Sequence, residues 1–267
     1  MKRDAHVHSP FCPHGTTDSL SSYIERAILL GVQDLTFTEH APLPEGFVDT
    51  TPTRDSGMSR DTLEKYLTAV EDVKSRYRND LTIRTGLEVD FIEGFEEQTT
   101  NFLDAYGQYL DDSILSVHFL QVAKADYVCI DYSKELYLET ADRLGGPEQL
   151  YSLYYTTVLK SVAANLGKWK PKRIGHFSLI HKFQHVLTTQ PNDDQYLKEV
   201  LHAIHHAEYE IDMNSAGFAK PYCQESYPPE RWIQKAIDLG VPVVFGSDAH
   251  QAKDFHQFSE RLLNFEK

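Results

Sequence analysis

The chain has 267 residues, 41% of them hydrophobic and 25% charged, with a formal net charge of −14. This length accommodates one α/β barrel as a single unit; the acidic balance argues against affinity for nucleic acid, and no apolar run approaches the ~20 residues of a membrane span. Lys2 and Arg3 are not followed by an apolar stretch, so no signal peptide is expected, and Cys12, Cys129 and Cys223, without a CxxC pair, read as structural thiols of a reducing cytoplasm.

Strand-like and helix-like segments then alternate, with no repeat or linker dividing them. The stretch DAHVHSPFCPHG begins as a strand at Asp4, and alternation of side chains points His6 and His8 to the same side. Asp18 or Ser19 caps a first helix, whose Leu20, Tyr23, Ile24, Ala27 and Ile28 recur on one face until Gly31 stops it. DLTFTEH is a second strand ending at His40. A Pro- and Gly-rich loop leads to a helix over 59–77 and a third strand region, LTIRTGLEVDFI, carrying Glu88. A helix near 95–106 precedes a fourth strand, SILSVHF, ending at His118. The long segment that follows, about 119–172, contains a helix over 147–165. RIGHF is a fifth strand carrying His176, and YEIDMN a sixth ending at Asn214, after a helix over 193–207. PERWIQKAIDLG has its proline at a helix start and its glycine at the end, and VPVVFGSDAH closes the series as a seventh strand. Seven strands alternating with helices predict an α/β fold whose parallel sheet is closed or nearly closed into a barrel, with an open doubly wound sheet as the alternative.

The polar residues fall in one place in that scheme. His6 and His8, His40, Glu88, His118, His176, and Asp248 with His250 lie at or just after strand ends, where barrel chemistry is built. One such histidine is an ordinary structural residue; every strand but the sixth delivering a ligand type to one rim predicts a metal site. Imidazole and carboxylate donors without thiolate suit Zn, Mn or Fe. His202, His205 and His206 sit inside a helix of the outer wall, and His256 in the last helix, as surface or packing residues. His181 and His185 follow the fifth strand on the active rim, with no role assigned.

Taken in order, HVH, PHG, TEH, GLEVDF, SVHF, GHF and GSDAH resemble the PHP superfamily (polymerase and histidinol phosphatase), from residue 4 to residue 250. TFTEHAPLP, GLEVDF and the long segment after SVHF are most similar to its bacterial monofunctional histidinol-phosphatase subgroup. The resemblance implies a distorted (β/α)7 PHP barrel, a single catalytic domain over 1–267 with an insertion at about 119–172, holding two to three divalent metals. One centre would use His6, His8, Glu88 and Asp248; a second would share Glu88 and add His118 and His176; a third would take His14, His40 and His250. Glu88, Asp248 and His250 are the implied catalytic residues. The implied activity is metal-dependent hydrolysis of L-histidinol phosphate, a small phosphate monoester, in histidine biosynthesis. The alternative is a PHP phosphoesterase acting on protein phosphotyrosine or nucleic-acid ends, and a non-catalytic metal-binding module is a further one. The oligomeric state is left open.

Divalent ions outweigh the charge of Glu88 and Asp248, so the site attracts an anion even in an acidic protein. Lys182, Lys220 and Asn214 are candidate substrate contacts. The insertion carries Tyr127, Tyr132, Tyr137, Tyr151, Tyr154 and Tyr155 with Asp126 and Asp131. Some of 119–165, with the loop 47–57, are expected to enclose an imidazole ring and an ammonium group, the other tyrosines packing the insertion onto the barrel.

Overall fold

A computed structural model describes residues 2–265 and arranges seven parallel strands in the order β1 (Arg3–Val7), β2 (Asp34–His40), β3 (Thr82–Asp90), β4 (Ile114–Ser116), β7 (Arg173–Ile174), β8 (Glu210–Asn214) and β9 (Val243–Gly246). The first and last close on each other at the strands' C-terminal ends. Val7 bridges Ala249, His8 N–H donates to Ala249 O at 3.0 Å, and Asp248 N–H donates to His6 O at 2.7 Å. The expected near-closed (β/α)7 barrel is therefore present, and the open sheet is excluded. Among the described residues no helix is long and apolar enough to cross a membrane.

Local sequence sets the helices. Ser19 caps α1 (Leu20–Leu29) by accepting from Ser22 N–H, and Leu20, Tyr23, Ile24 and Ala27 form its buried face. Gly31 at φ 69 turns the chain out of it. Ser59 caps α2 (Arg60–Arg76) in the same way. Next come α3 (Glu96–Tyr106), and later α6 (Asp194–His206), α7 (Glu230–Asp238) and the short α8 (Ser259–Leu262). His205 and His206 are exposed on α6 and His202 half-buried, as expected of an outer wall.

Residues 119–172 hold more structure than one helix. A two-stranded antiparallel hairpin, β5 (Phe119–Ala123) and β6 (Asp126–Cys129), precedes α4 (Lys134–Leu144) and α5 (Pro147–Ala163). Ser133 caps α4, Gly145 ends it in the left-handed region, and Pro147 opens α5. The fourth and fifth barrel strands are shorter than SILSVHF and RIGHF suggest. They end at Ser116 and Ile174, so His118 and His176 stand beyond the ladder, where the chain swings them inward. At Gly175 that swing brings the backbone so close to Ser116 that a Cβ would lie 2.1 Å from its Oγ. His256 is not helical: it lies between a 3-10 turn (Ala252–Asp254) and α8 at φ 61, buried with Nδ1 3.3 Å from Asp4 Oδ2.

The opposite mouth of the barrel is plugged by ion pairs. Arg173, fully buried, donates to Asp112 Oδ2 at 2.8 Å and Ala5 O at 2.9 Å; Arg3 reaches the same carboxylate, and Arg84 grips Asp34 with two nitrogens. Removing Asp112 would leave the buried Arg173 guanidinium without its carboxylate, a loss of about 3–5 kcal/mol.

Candidate metal centre

Sheet register brings the strand-end residues level. His40 is paired with Glu88 across β2 and β3, Asp90 with Ser116 across β3 and β4, and Asn214 with Gly246 across β8 and β9. Glu88 stands at the middle of the resulting cluster. Its Oε2 lies 3.4 Å from His6 Nε2, 3.5 Å from His8 Nε2 and 3.3 Å from His40 Nδ1. Its Oε1 lies 2.9 Å from His176 Nε2 and 3.6 Å from His118 Nε2, and accepts from Ser116 Oγ at 2.6 Å. Asp248 Oδ1 is 3.1 Å from His8 Nε2, 3.7 Å from His6 Nε2 and 3.6 Å from His250 Nδ1. His250 stacks on His8 with ring centroids 3.9 Å apart.

His14 approaches from an exposed turn, its ring 4.9 Å from His40 and 5.2 Å from His250, and donates from Nδ1 to Asp55 O at 2.8 Å. All nine ligand-type residues named from the sequence therefore meet in one cluster, in which His6 and His8 are fully buried. Three sets of donor atoms lie within 4.8 Å of one another: His6, His8 and Asp248; Glu88, His118 and His176; and His8, Cys12, His40 and His250. The last brings in Cys12, which reads from the sequence as a structural thiol. The tight turn that returns Cys12 N–H to Ser9 O folds its buried sulfur back under the histidines, and burial pushes that thiol up, keeping it protonated.

Behind the imidazoles stand carboxylates that sequence reasoning missed. His6 Nδ1 donates to Asp212 Oδ2 at 2.7 Å, His8 Nδ1 to Glu39 Oε1 at 3.1 Å, and His118 Nδ1 to Asp90 Oδ1 at 2.7 Å. Each bond places the proton on Nδ1 and turns the Nε2 lone pair inward. Asn214, expected to touch substrate, lies beneath the cavity instead. Fully buried, it donates to Asp212 at 3.0 Å and Asp248 at 3.2 Å, while Ala216 N–H occupies its oxygen.

The electrostatics call for cations. Burial penalises both carboxylates, yet His6, His118 and His176 hold Glu88, and His6, His8 and His250 hold Asp248, well below the usual carboxylate range. Burial likewise opposes charging His8 and His118, but neighbouring carboxylates outweigh it and push them up to about 9 and about 10. Burial and the proximity of His8 drive His40 and His250 down. The cluster thus takes up positive charge, as protons on some imidazoles or as metal cations on their nitrogens. Nε2 of His6 and of His8, both ring nitrogens of His40 and Nδ1 of His176 are buried without a hydrogen-bond partner, which is costly for polar atoms but suits ligands to a divalent metal.

The cluster opens into a cavity of about 530 Å³. Thr51, Thr53, Asp55 and Ser56 line it, with Asp131, Tyr132, Lys182 and Lys220. Lys182 pairs with Asp131 at 2.8 Å, and among the described residues Lys220 has no salt bridge. Of the insertion's tyrosines, Tyr137, Tyr151, Tyr154 and Tyr155 are buried, and Tyr127 joins Phe47, Phe95 and Phe119 in an aromatic cluster that fastens the 47–57 loop to the hairpin. Tyr132 alone of the six faces the cavity. Asp126 points away, paired with Arg143. His185 is exposed, and His181 is buried outside the cluster.

A PHP-domain model matches residues 4–216. The chain is 44% identical over 265 residues to the histidinol-phosphatase of Bacillus subtilis (strain 168), covering 98% of each. The crystal structure of the hisK protein of Listeria monocytogenes superposes with a TM-score of 0.93 at 36% identity, covering 98% of this chain and all of that one. Histidinol phosphate phosphatase of Lactococcus lactis, crystallised with zinc, L-histidinol and phosphate, shares the fold with a TM-score of 0.70 at 21% identity, covering 99% of this chain and 93% of that one.

Proposed function

This chain belongs to the PHP family, and from that premise we infer that it is a histidinol-phosphatase, hydrolysing L-histidinol phosphate to L-histidinol and phosphate in histidine biosynthesis. The observation that carries this is 44% identity along the whole chain to an enzyme of that activity, in a protein whose barrel rim gathers nine ligand-type side chains into one cluster.

Two to three divalent metals, zinc, manganese or iron, are proposed here. His6, His8, Glu88 and Asp248 would hold one; Glu88, His118 and His176 a second; His14, His40 and His250 a third. Such metals polarise the phosphoryl oxygens and lower the pKa of an attacking water, help that a slowly hydrolysing monoester needs. The inward lone pairs set by Asp212, Glu39 and Asp90 support this set.

The remaining chemistry belongs to the side chains. Asp248 accepts a proton as water attacks phosphorus and returns it to the alkoxide as the ester P–O bond breaks, leaving L-histidinol and inorganic phosphate. Asn214 holds its second oxygen so that the first faces the reaction. His250, at the more open edge of the cluster, shields that proton from solvent. Lys182 and Lys220 receive the phosphate. Tyr132 offers a face to the imidazole ring, and Asp55, on the fastened loop, pairs with the ammonium. Three free, buried cysteines support a reducing compartment, the cytoplasm.

The test is a specificity ratio. kcat/KM for L-histidinol phosphate is expected to exceed that for p-nitrophenyl phosphate and for a phosphotyrosine peptide. A ratio at or below unity overturns the substrate assignment.

A further inference from the structure

One histidine works outside the metal cluster. His181 belongs to a 3-10 segment (Leu179–Val186) after β7 and is 4% exposed. Its Nε2 lies 2.7 Å from Asp193 Oδ2 and its Nδ1 2.7 Å from Glu225 Oε1. Both carboxylates are committed as acceptors. Asp193 also accepts from the Tyr155 hydroxyl, and Glu225 from Gln184 Nε2 at 2.9 Å. A neutral ring would turn one lone pair against a carboxylate oxygen at hydrogen-bond distance; an imidazolium donates twice. The ring is also stacked on Tyr151, with centroids 5.9 Å apart.

The three partners come from different segments. His181 precedes Lys182 directly, Asp193 stands at the start of α6, and Glu225 lies in the loop after β8 that carries Lys220. The same two loops touch again where His185 N–H donates to Tyr222 O at 3.0 Å and Gln184 Nε2 to Cys223 O at 3.1 Å, but those bonds join uncharged groups. The charged strap is His181.

We propose that His181 is a positioning residue for phosphate capture: strapped between Asp193 and Glu225, it fixes the two rim loops that present Lys182 and Lys220 to one cavity. The proposal rests on the reading that those lysines receive the phosphate. A long side chain whose loop shifts by an ångström loses its contact with a small anion, whereas His6, His40 and Glu88, on the barrel strands, stay in place.

The experiment compares metal-loaded wild type with His181→Gln, using inhibition by inorganic phosphate and KM and kcat on p-nitrophenyl phosphate, with metal content measured in both. KM and the phosphate inhibition constant are expected to rise roughly 10-fold, with kcat within about twofold and metal content unchanged. A folded His181→Gln protein with unchanged KM and inhibition constant overturns the proposal, leaving a purely structural strap. Should that variant not fold, Glu225→Gln loosens the more exposed end and is expected to shift the same constants by about threefold in the same direction; no shift overturns the proposal. ¹⁵N NMR of the wild type is expected to show both His181 ring nitrogens protonated at neutral pH, and a neutral ring refutes it. Preference for L-histidinol phosphate plays no part in these readouts, so its failure would strike the substrate assignment alone.

Discussion

Glu39→Gln tests how far the metal cluster depends on the carboxylates behind it. Each oxygen of Glu39 serves two donors: Oε1 accepts from His8 Nδ1 at 3.1 Å and His40 N–H at 2.9 Å, Oε2 from Ser9 N–H at 2.8 Å and Ser9 Oγ at 2.5 Å. An amide has one acceptor oxygen, so one pair must face an NH2 group. Turning the NH2 toward Ser9 is the cheaper choice, since the serine hydroxyl rotates to accept. The Ser9 N–H is then left buried without a partner, at a cost of about 1–3 kcal/mol. For a chain of this size that lowers Tm by roughly 3–10 °C. His8 keeps its tautomer but loses a charge-assisted bond, which weakens metal binding by roughly 10–100-fold. Thermal unfolding of the metal-free protein reads the first effect, and a chelator titration of the loaded enzyme the second. If Tm stays within about 1 °C and the chelator midpoint does not move, the carboxylate is a bystander and the reasoning fails.

Protein prepared without chelators is expected to carry two to three divalent metals per chain by elemental analysis; fewer than one, with activity intact, contradicts the centre. Glu88→Gln is expected to lower kcat/KM by more than about 100-fold while circular dichroism stays native, because its two oxygens face five imidazoles. Gly246→Ala places a Cβ 2.4 Å from Asp212 Oδ1 and 2.5 Å from His6 Cβ; chemical denaturation should show about 1–3 kcal/mol of lost stability, with reduced metal retention. The His181 strap gives a pH signature. Burial opposes its charge, but Asp193 and Glu225 outweigh burial and raise it to about 9, with Tyr151, Tyr155, His185, Asp194 and Arg231 the other titratable groups around it. A folded-state pKa above the unfolded one stabilises fully below about pH 6.5 and is lost as pH rises through about 9, a contribution of about 3 kcal/mol. The Tm gap between wild type and His181→Gln should therefore be wide at pH 6 and narrow by pH 10; a constant gap refutes this.

The barrel was legible because its strands are short apolar runs that end in polar residues, and because capping serines, Pro147 and Gly31 punctuate the helices. The ligand-type residues were legible as an ordered series across many strand ends. The orienting partners were not. Asp212 and Asp90 stand two residues from Asn214 and Glu88 within the strands, where a carboxylate carries no spacing signal, and Glu39, next to His40, belongs by alternation to the opposite face of β2. The hairpin was missed because FLQVA and DYVC are too short and mixed for a period-two pattern to stand out. His181 was placed on the active rim without a role: its meaning depends on Asp193 and Glu225, which only the tertiary fold brings near.

The seam where β1 meets β9 has a consequence for the order of events at the ribosome. His6 and His8 leave the exit tunnel early, whereas Asp248 and His250 are among the later residues made, and the contacts of Val7, His6 and His8 with Asp248 and Ala249 join the two. At roughly 5–20 residues per second, tens of seconds separate them. A nascent chain therefore displays the histidine pair long before the carboxylate that completes its cluster. Capture of a metal at the proposed centre of His6, His8, Glu88 and Asp248 must wait until the barrel closes, making the loading of that centre a late checkpoint that only correctly closed molecules pass.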